Sequence, residues 1–253
     1  MSKKPVHRLA QDAAVRMHFD PEFAALVRRA PAEALPDLPE LLRSQLAAID
    51  ARAFKLDRLR GRRLLRTLFD EFKASTTLVL AQEKRLEFLD GFFTSEHFGR
   101  VFDGSPLWLA YAAFLMMDSD CPTGVVCIEM ALAKSRRPLF YQHHPVAHVC
   151  LAPGVAPVTA VTQGELAAMQ QAEHYLFEVG LLPAVALCRD APTLLLDERT
   201  KDATPLYLVV VPTESGQSLV TIDAKLHHLL MSLPLPYRPE LQPLIDDEIA
   251  VRA

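Results

Sequence analysis

The sequence predicts an α+β fold, in which an α-helical N-terminal domain (residues 1–137) precedes a smaller domain (residues 138–253) of short antiparallel strands and helices. Three observations support this division. Apolar residues of the first half recur with a helical period. Later segments are short and β-branched, and twelve of the 19 prolines lie from Pro138 onward. Half of the 253 residues are hydrophobic, which suffices for a core and excludes a disordered chain.

Local signals place the helices of the first half. Asp20-Pro21-Glu22 combines an N-cap residue, a first-turn proline and an acid, so it predicts a helix start. Further helices are expected over residues 40–54 and 125–137. The turn 103–106 introduces the apolar run Leu107–Met117, whose 11 residues predict a buried helix and fall short of the roughly 20 that span a bilayer. The clearest helical stripe has the spacing i, i+3, i+4, i+7 and comprises Leu65, Leu68, Phe69 and Phe72.

The second half is expected to contain one amphipathic helix among short strands. Thr162 is its predicted N-cap, and Glu165, three residues later, completes a capping box. The strongest strand pair joins residues 206–211 to residues 218–222 through a six-residue link, which predicts a hairpin. Asp223 follows as the predicted cap of a last helix.

The charge is unevenly distributed along the chain. The formal net charge is −4, with a balance of +3 in residues 1–137 and −7 in residues 138–253. This acidic balance argues against a nucleic-acid partner. The N-terminal sequence lacks the apolar segment of a signal peptide, so we expect a cytoplasmic protein with no membrane partner and with reduced thiols.

Histidines offer the only metal-binding hypothesis. His143, His144 and His148 are close in sequence, but Pro145 breaks the helix that would align two of them on one face. No carboxylate accompanies them at metal-ligand spacing. Surface or hydrogen-bonded histidines are therefore expected, and a metal-dependent enzyme that uses this cluster stays an alternative. We predict neither a metal nor a cofactor in this chain.

Catalytic motifs are absent from the sequence. It has no nucleophile elbow, no Walker A motif and no dinucleotide-binding glycine pattern. A reactive cysteine needs an electropositive surrounding, whereas one cysteine here follows two aspartates and the others have apolar neighbours. We therefore expect no catalytic residue. The four cysteines are Cys121, Cys127, Cys150 and Cys188.

A basic run lies in the first half. Residues 52–66 hold seven lysines and arginines, opposed only by Asp57. A solvated helix face explains such a run, and so does a docking surface for an acidic protein or peptide. Under the second interpretation the partner-binding residues are Arg58, Arg62 and Arg66.

The predicted hairpin is the second candidate surface. Its first strand is apolar on both faces, so we expect it to be covered on both sides. A free strand edge would accept an extended peptide through main-chain pairing, while an interior strand is the alternative. The candidate peptide-binding residues are Leu206, Tyr207, Leu208, Val209, Val210, Val211, Leu219, Val220, Thr221 and Ile222.

Three segments between residues 60 and 137 carry a family resemblance. They are RRLLRTLFDEFKAS, FLDGFFTSEHFGRV and AYAAFLMMDSDCPTGVVCIEMALAKSRR. This pattern of a helical stripe with LFD, then a helix that ends in MD-x-D before a cysteine, resembles the MbnC-like and TglI-like partner subunits of multinuclear non-heme iron-dependent oxidative enzymes. Those enzymes act in the maturation of ribosomally made peptides.

The resemblance implies a function without chemistry of its own. In that family the enzyme holds the iron and oxidises a cysteine of the precursor peptide, while the partner binds the enzyme and helps to recognise the leader peptide through a β-strand. It implies a heterodimer with the iron enzyme and a role in 3-thiaglutamate biosynthesis. The length of this chain favours that pathway over a methanobactin-type one, which stays the alternative.

Overall fold

The computed structural model describes residues 5–50, 52–53, 58–85, 87–137, 148–159, 161–179 and 201–252. Up to residue 137 the described chain is helical, and the strands follow from residue 148 onward, so the fold is α+β as predicted. The helices of the first part are α1 (Val6–Phe19), α2 (Pro21–Arg29), α3 (Pro31–Ala34), α4 (Glu40–Ala47), α5 (Arg58–Glu71), α6 (Lys73–Glu83), α7 (Glu87–Asp90), a 3₁₀ turn (Gly91–Thr94), α8 (Glu96–Phe102), α9 (Leu107–Met117) and α10 (Thr123–Ser135).

Helix starts agree better with the predictions than helix ends. The Asp20 carboxylate accepts the Phe23 N–H at 2.8 Å and is held by Arg16, so the predicted cap of α2 is confirmed. Helix α4 begins after Pro39 as expected but ends at Ala47, well before residue 54. The predicted stripe of α5 is buried at Leu65, Leu68 and Phe72, while Phe69 is half-buried.

Contacts divide the chain into two compact units, the first formed by residues 1–70 and 85–114 and the second by residues 71–84 and 115–253. These units are defined by contacts and do not test the domain boundary predicted at residue 137, which stays a prediction. In the first unit, α1, α2 and α4 surround a small core that includes Met17 and Val27. The same unit holds a cluster of aromatic rings in contact at centroid distances of 5.1–5.5 Å, mostly edge to face; it includes Phe19, Phe92, Phe93, Phe98 and Tyr111.

The second unit contains the strands, all paired antiparallel. The described elements after residue 147 are β1 (His148–Leu151), β2 (Ala156–Pro157), β3 (Val161–Thr162), α11 (Gln163–Val179), β4 (Pro205–Leu206), β5 (Leu208–Thr213), β6 (Gly216–Thr221), α12 (Ala224–Ser232), β7 (Leu235–Pro236), a 3₁₀ turn (Pro239–Leu241), α13 (Gln242–Asp246) and β8 (Ala250–Arg252). The described strands form three sheets, with the orders β7-β1-β8, β2-β5-β6 and β3-β4.

Both predicted helix caps of this unit are confirmed. Thr162 Oγ1 accepts the Glu165 N–H at 3.2 Å, and the Glu165 carboxylate accepts the Thr162 N–H at 2.9 Å, which are the two arms of a capping box. Asp223 accepts the Leu226 N–H at 2.9 Å and so caps α12. None of the helices in the described ranges is both long and apolar enough to cross a membrane.

Candidate peptide-binding edge

The hairpin of β5 and β6 is the centre of the candidate site. Six residue pairs run in continuous register from Leu208↔Thr221 to Thr213↔Gly216, so the predicted hairpin is confirmed. Its loop has two residues, Glu214 and Ser215, where the sequence suggested six. Gly216, with φ of +139°, adopts a backbone conformation that side chains disfavour.

The register decides which backbone groups of β6 face outward. The Ile222 N–H donates to the Tyr207 carbonyl at 2.9 Å, which marks this position as a hydrogen-bonded pair. Because such pairs alternate in an antiparallel ladder, residues 216, 218 and 220 turn their N–H and C=O groups toward β5. Gln217, Leu219 and Thr221 therefore turn theirs away from β5.

Strand β5 is not an edge. Its outward backbone groups, at Leu208 and Val210, face β2: Val210 lies opposite Ala156, and the Val158 N–H donates to the Leu208 carbonyl at 3.0 Å. The next residue of β5 that faces the side of β2 is Pro212, which has no N–H to donate. Of the two predicted edges, the run 206–211 is therefore paired on both sides, with Leu206 opposite Val161 of β3. Residues 219–221 of β6 lie at one edge of this sheet and β2 forms the other, whereas the Ile222 N–H is bonded to Tyr207.

Both faces of β5 are covered, as its apolar sequence predicted. On one face Val209 joins the core that contains Val149, Leu230 and Leu244. On the other face lies helix α10. Leu208, Val209 and Val210 are each at most 2% exposed, so their side chains are unavailable to a peptide. Val220 of β6, in contrast, is 40% exposed.

Gln217 attaches β6 to helix α10. Its Nε2 donates to the Leu132 carbonyl at 3.3 Å and also contacts Ser135 Oγ. The side chain thus satisfies a carbonyl of the last helical turn. Since the backbone of Gln217 faces outward, this contact holds the edge in place without using its main-chain groups.

A buried carboxylate, which no sequence pattern predicted, joins two helices beneath this sheet. Glu129 of α10 accepts hydrogen bonds from the Ala74 N–H (2.8 Å), the Ser75 N–H (3.0 Å) and Ser75 Oγ (2.5 Å). It therefore caps the N-terminus of α6, a helix buried from Ala74 to Ala81. Burial raises the pKa of Glu129 to about 7, although these bonds favour its charged form.

Burial disfavours the thiolate form of the described cysteines. Burial, and then the Glu129 carboxylate, raise the pKa of the Cys121 thiol to about 12. Burial also raises the pKa of Cys127 and of Cys150. A raised pKa lowers the thiolate fraction that nucleophilic attack requires. Cys188 lies outside the described residues.

The remaining predicted site residues are only partly described. Arg66 is exposed on α5, whereas the side chains of Arg58 and Arg62 lie outside the described part. His143 and His144 also lie outside it, and His148 begins β1. The alternative of a histidine metal site is therefore left as a hypothesis.

Comparisons with protein-family models, with curated proteins and with solved structures found no match to this chain. The site must therefore be interpreted from its own geometry. That geometry is the outer edge of β6, where the backbone groups of Gln217, Leu219 and Thr221 face away from β5. Pairing with β5 and the Gln217 side chain, which is bonded to α10, hold this edge in place.

Proposed function

We propose that this chain is a non-catalytic partner subunit that presents a precursor peptide to a multinuclear non-heme iron enzyme in the cytoplasm. The peptide pairs as an added strand with the outer edge of β6, and the enzyme oxidises one of its cysteines, as in 3-thiaglutamate biosynthesis. The observation that carries the proposal is the outward direction of the backbone groups of Gln217, Leu219 and Thr221. The resemblance of residues 60–137 to such partner subunits supports it.

The composition of β6 supports a binding role for this edge. Soluble proteins commonly protect an edge strand with a charge, a proline or a bulge. Strand β6 contains no charged residue and no proline, and its register with β5 is continuous. An edge left in this form accepts an extended peptide through main-chain hydrogen bonds.

The rigidity of the edge supports the same role. Strand β6 pairs with β5 along its whole length, β5 is covered on both faces, and Gln217 is anchored to α10. A peptide that adds to such a strand orders only itself, because the receiving backbone is already in place. Sequence-tolerant main-chain pairing also suits a leader whose modified cysteine lies elsewhere in the peptide.

The test removes one outward donor. Thr221→Pro deletes an N–H that β5 does not use, and Thr221→Val is the matched control because it keeps the N–H. We expect the proline variant to weaken precursor-peptide binding roughly tenfold, since a lost hydrogen bond contributes about 1 kcal/mol and the added strand is also disturbed. The valine variant should bind as the parent does, and both should keep the thermal unfolding of the parent.

Amide hydrogen exchange provides a second measurement that needs no variant. The amides of Leu219 and Thr221 should exchange rapidly in the free protein and slowly with the peptide bound, while Ser218 and Val220 are protected in both states. Tight binding by a folded Thr221→Pro variant, together with unchanged exchange at Leu219 and Thr221, would disprove the edge as the peptide site.

A further inference from the structure

Helix α10 crosses the sheet toward the β6 edge. At its first turn, the Gly124 N–H donates to the Glu165 carboxylate at 2.7 Å, next to β3. The helix then packs against β2 and β5. Its last turn reaches β6, where Leu132 and Ser135 contact Gln217. Arg136, which follows Ser135, therefore lies at the side of the sheet where a peptide would be added.

Two cations lie at this end of α10, one in the last turn and one at the C-cap. Lys134 and Arg136 flank Ser135 in sequence, and both are exposed. The Arg136 guanidinium donates to the Leu132 carbonyl at 3.1 Å, and within the described part of the chain neither residue has a carboxylate partner. Arg137, in contrast, is paired with Glu71 at 2.6 and 2.8 Å. Lys134 and Arg136 are thus available for an anionic group.

The spacing places these cations beside an added strand. Neighbouring strands lie about 4.8 Å apart, and each helical residue advances about 1.5 Å along the axis. A strand beyond β6 would therefore pass the end of α10 within reach of the long Lys134 and Arg136 side chains. The hairpin of β5 and β6 contains a single carboxylate, Glu214 in its loop. Glu214 makes no ion pair with either cation.

We propose that the β6 edge selects extended peptides that carry an acidic residue where they pass Gln217, and that Lys134 and Arg136 bind this carboxylate. This inference rests on the proposed function and adds the chemical class of the peptide. Main-chain pairing supplies the attachment, and the charged contact supplies a preference for register and sequence. The contact lies at the rim of the sheet, so its contribution is expected to weaken as salt is added.

The experiment uses the full chain and a displayed library of random dodecapeptides. Peptides enriched on the parent are synthesised and measured against the double variant Lys134→Glu/Arg136→Glu. The control is Lys225→Glu/Arg238→Glu, which makes the same charge change at two other exposed residues of the second unit. Thr221→Pro reports separately whether each peptide uses the edge.

We expect edge-dependent peptides to be rich in Asp and Glu and to lose roughly tenfold in affinity on the Lys134/Arg136 variant, with a much smaller loss on the control. Reselection on the Lys134/Arg136 variant should enrich Lys and Arg instead. Edge-dependent peptides that are neutral or basic, or that tolerate the double variant, would overturn the inference and leave the proposed function standing. Peptides that ignore Thr221→Pro would count against the proposed function itself.

Discussion

At the scale of single residues, Glu129 is a buried carboxylate that accepts several hydrogen bonds. It is 4% exposed and holds three donors at the start of α6. The charge of Glu173 raises the pKa of Glu129 further. Burial raises the pKa of Glu173 itself, and the Lys73 charge opposes that rise. A buried carboxylate of this kind connects stability to pH through its own titration.

The direction of that pH dependence follows from the pKa of about 7. Glu129 binds its proton more tightly in the folded chain than in the unfolded chain, so protonation of this carboxyl stabilises the fold. That stabilisation is complete below the ordinary pKa range of glutamate and is lost as pH rises toward 7. Glu129→Gln removes the effect. The difference in unfolding free energy between parent and variant should therefore shrink with rising pH, by at most on the order of 3 kcal/mol.

Denaturant titrations between acidic and neutral pH measure this difference. Glu240→Gln serves as the control, because Glu240 is an exposed carboxyl of the same unit. The control should leave the pH dependence of the parent unchanged. A parent and a Glu129→Gln variant whose stabilities run parallel over this range would contradict the assignment.

Gly124 is required for a different reason. A Cβ at this position would collide with the Glu165 carboxylate, which accepts the Gly124 N–H. Gly124→Ala must displace that side chain from two helix N-termini at once, at a cost of about 2 kcal/mol. Glu165→Ala in the same chain removes the collision, so the double variant should be less destabilised than the sum of the two single variants. Additive losses in chemical denaturation would contradict this account.

At the scale of elements, backbone groups that face the partner strand alternate with groups that face away from it along the β5–β6 ladder. Two proline substitutions should therefore differ in their effect on stability. The N–H of Val209 faces β6, and its side chain is 2% exposed in the core. Val209→Pro should therefore destabilise the hairpin by about 3 kcal/mol or more, whereas Thr221→Pro should leave the thermal midpoint nearly unchanged. Equal losses of thermal stability in the two variants would show that the register is shifted.

The same ladder shows why the sequence misjudged the hairpin loop. Pro212 looked like the start of a six-residue link, because proline interrupts a strand. In the structure it occupies a position whose backbone faces away from β6, so its missing N–H costs the hairpin nothing. Strand pairing, which the sequence does not reveal, decides whether a proline is tolerated.

At the scale of the whole molecule, local signals were predictable and distant contacts were not. The α+β class, the caps Asp20, Thr162 and Asp223, and the hairpin all depend on residues a few positions apart. The bond between Ser75 and Glu129 joins residues 54 positions apart, and no local pattern in the sequence predicts it. For the candidate site, the sequence indicated both strands, but only sheet order identified β6 as the edge.

At the same scale, the charge asymmetry of the chain bears on how the proposed iron enzyme would dock. Residues 1–137 carry a balance of +3, and the run 52–66 concentrates positive charge there. If this run docks an acidic surface, reversing Arg58, Arg62 and Arg66 to Glu should slow association with the enzyme at low salt by roughly tenfold or more, with little change in dissociation. Reversing three other exposed cations controls for net charge: Arg29, Lys84 and Lys201.

Stopped-flow association rates at several salt concentrations separate the two interpretations of the basic run. A docking surface gives a steep salt dependence in the parent that the Arg58/Arg62/Arg66 variant loses and the control variant keeps. Because peptide binding is assigned to the β6 edge, the same variant should bind the precursor peptide as tightly as the parent. Association rates that fall equally in both triple variants would show that the run is a solvated helix face and not a docking surface.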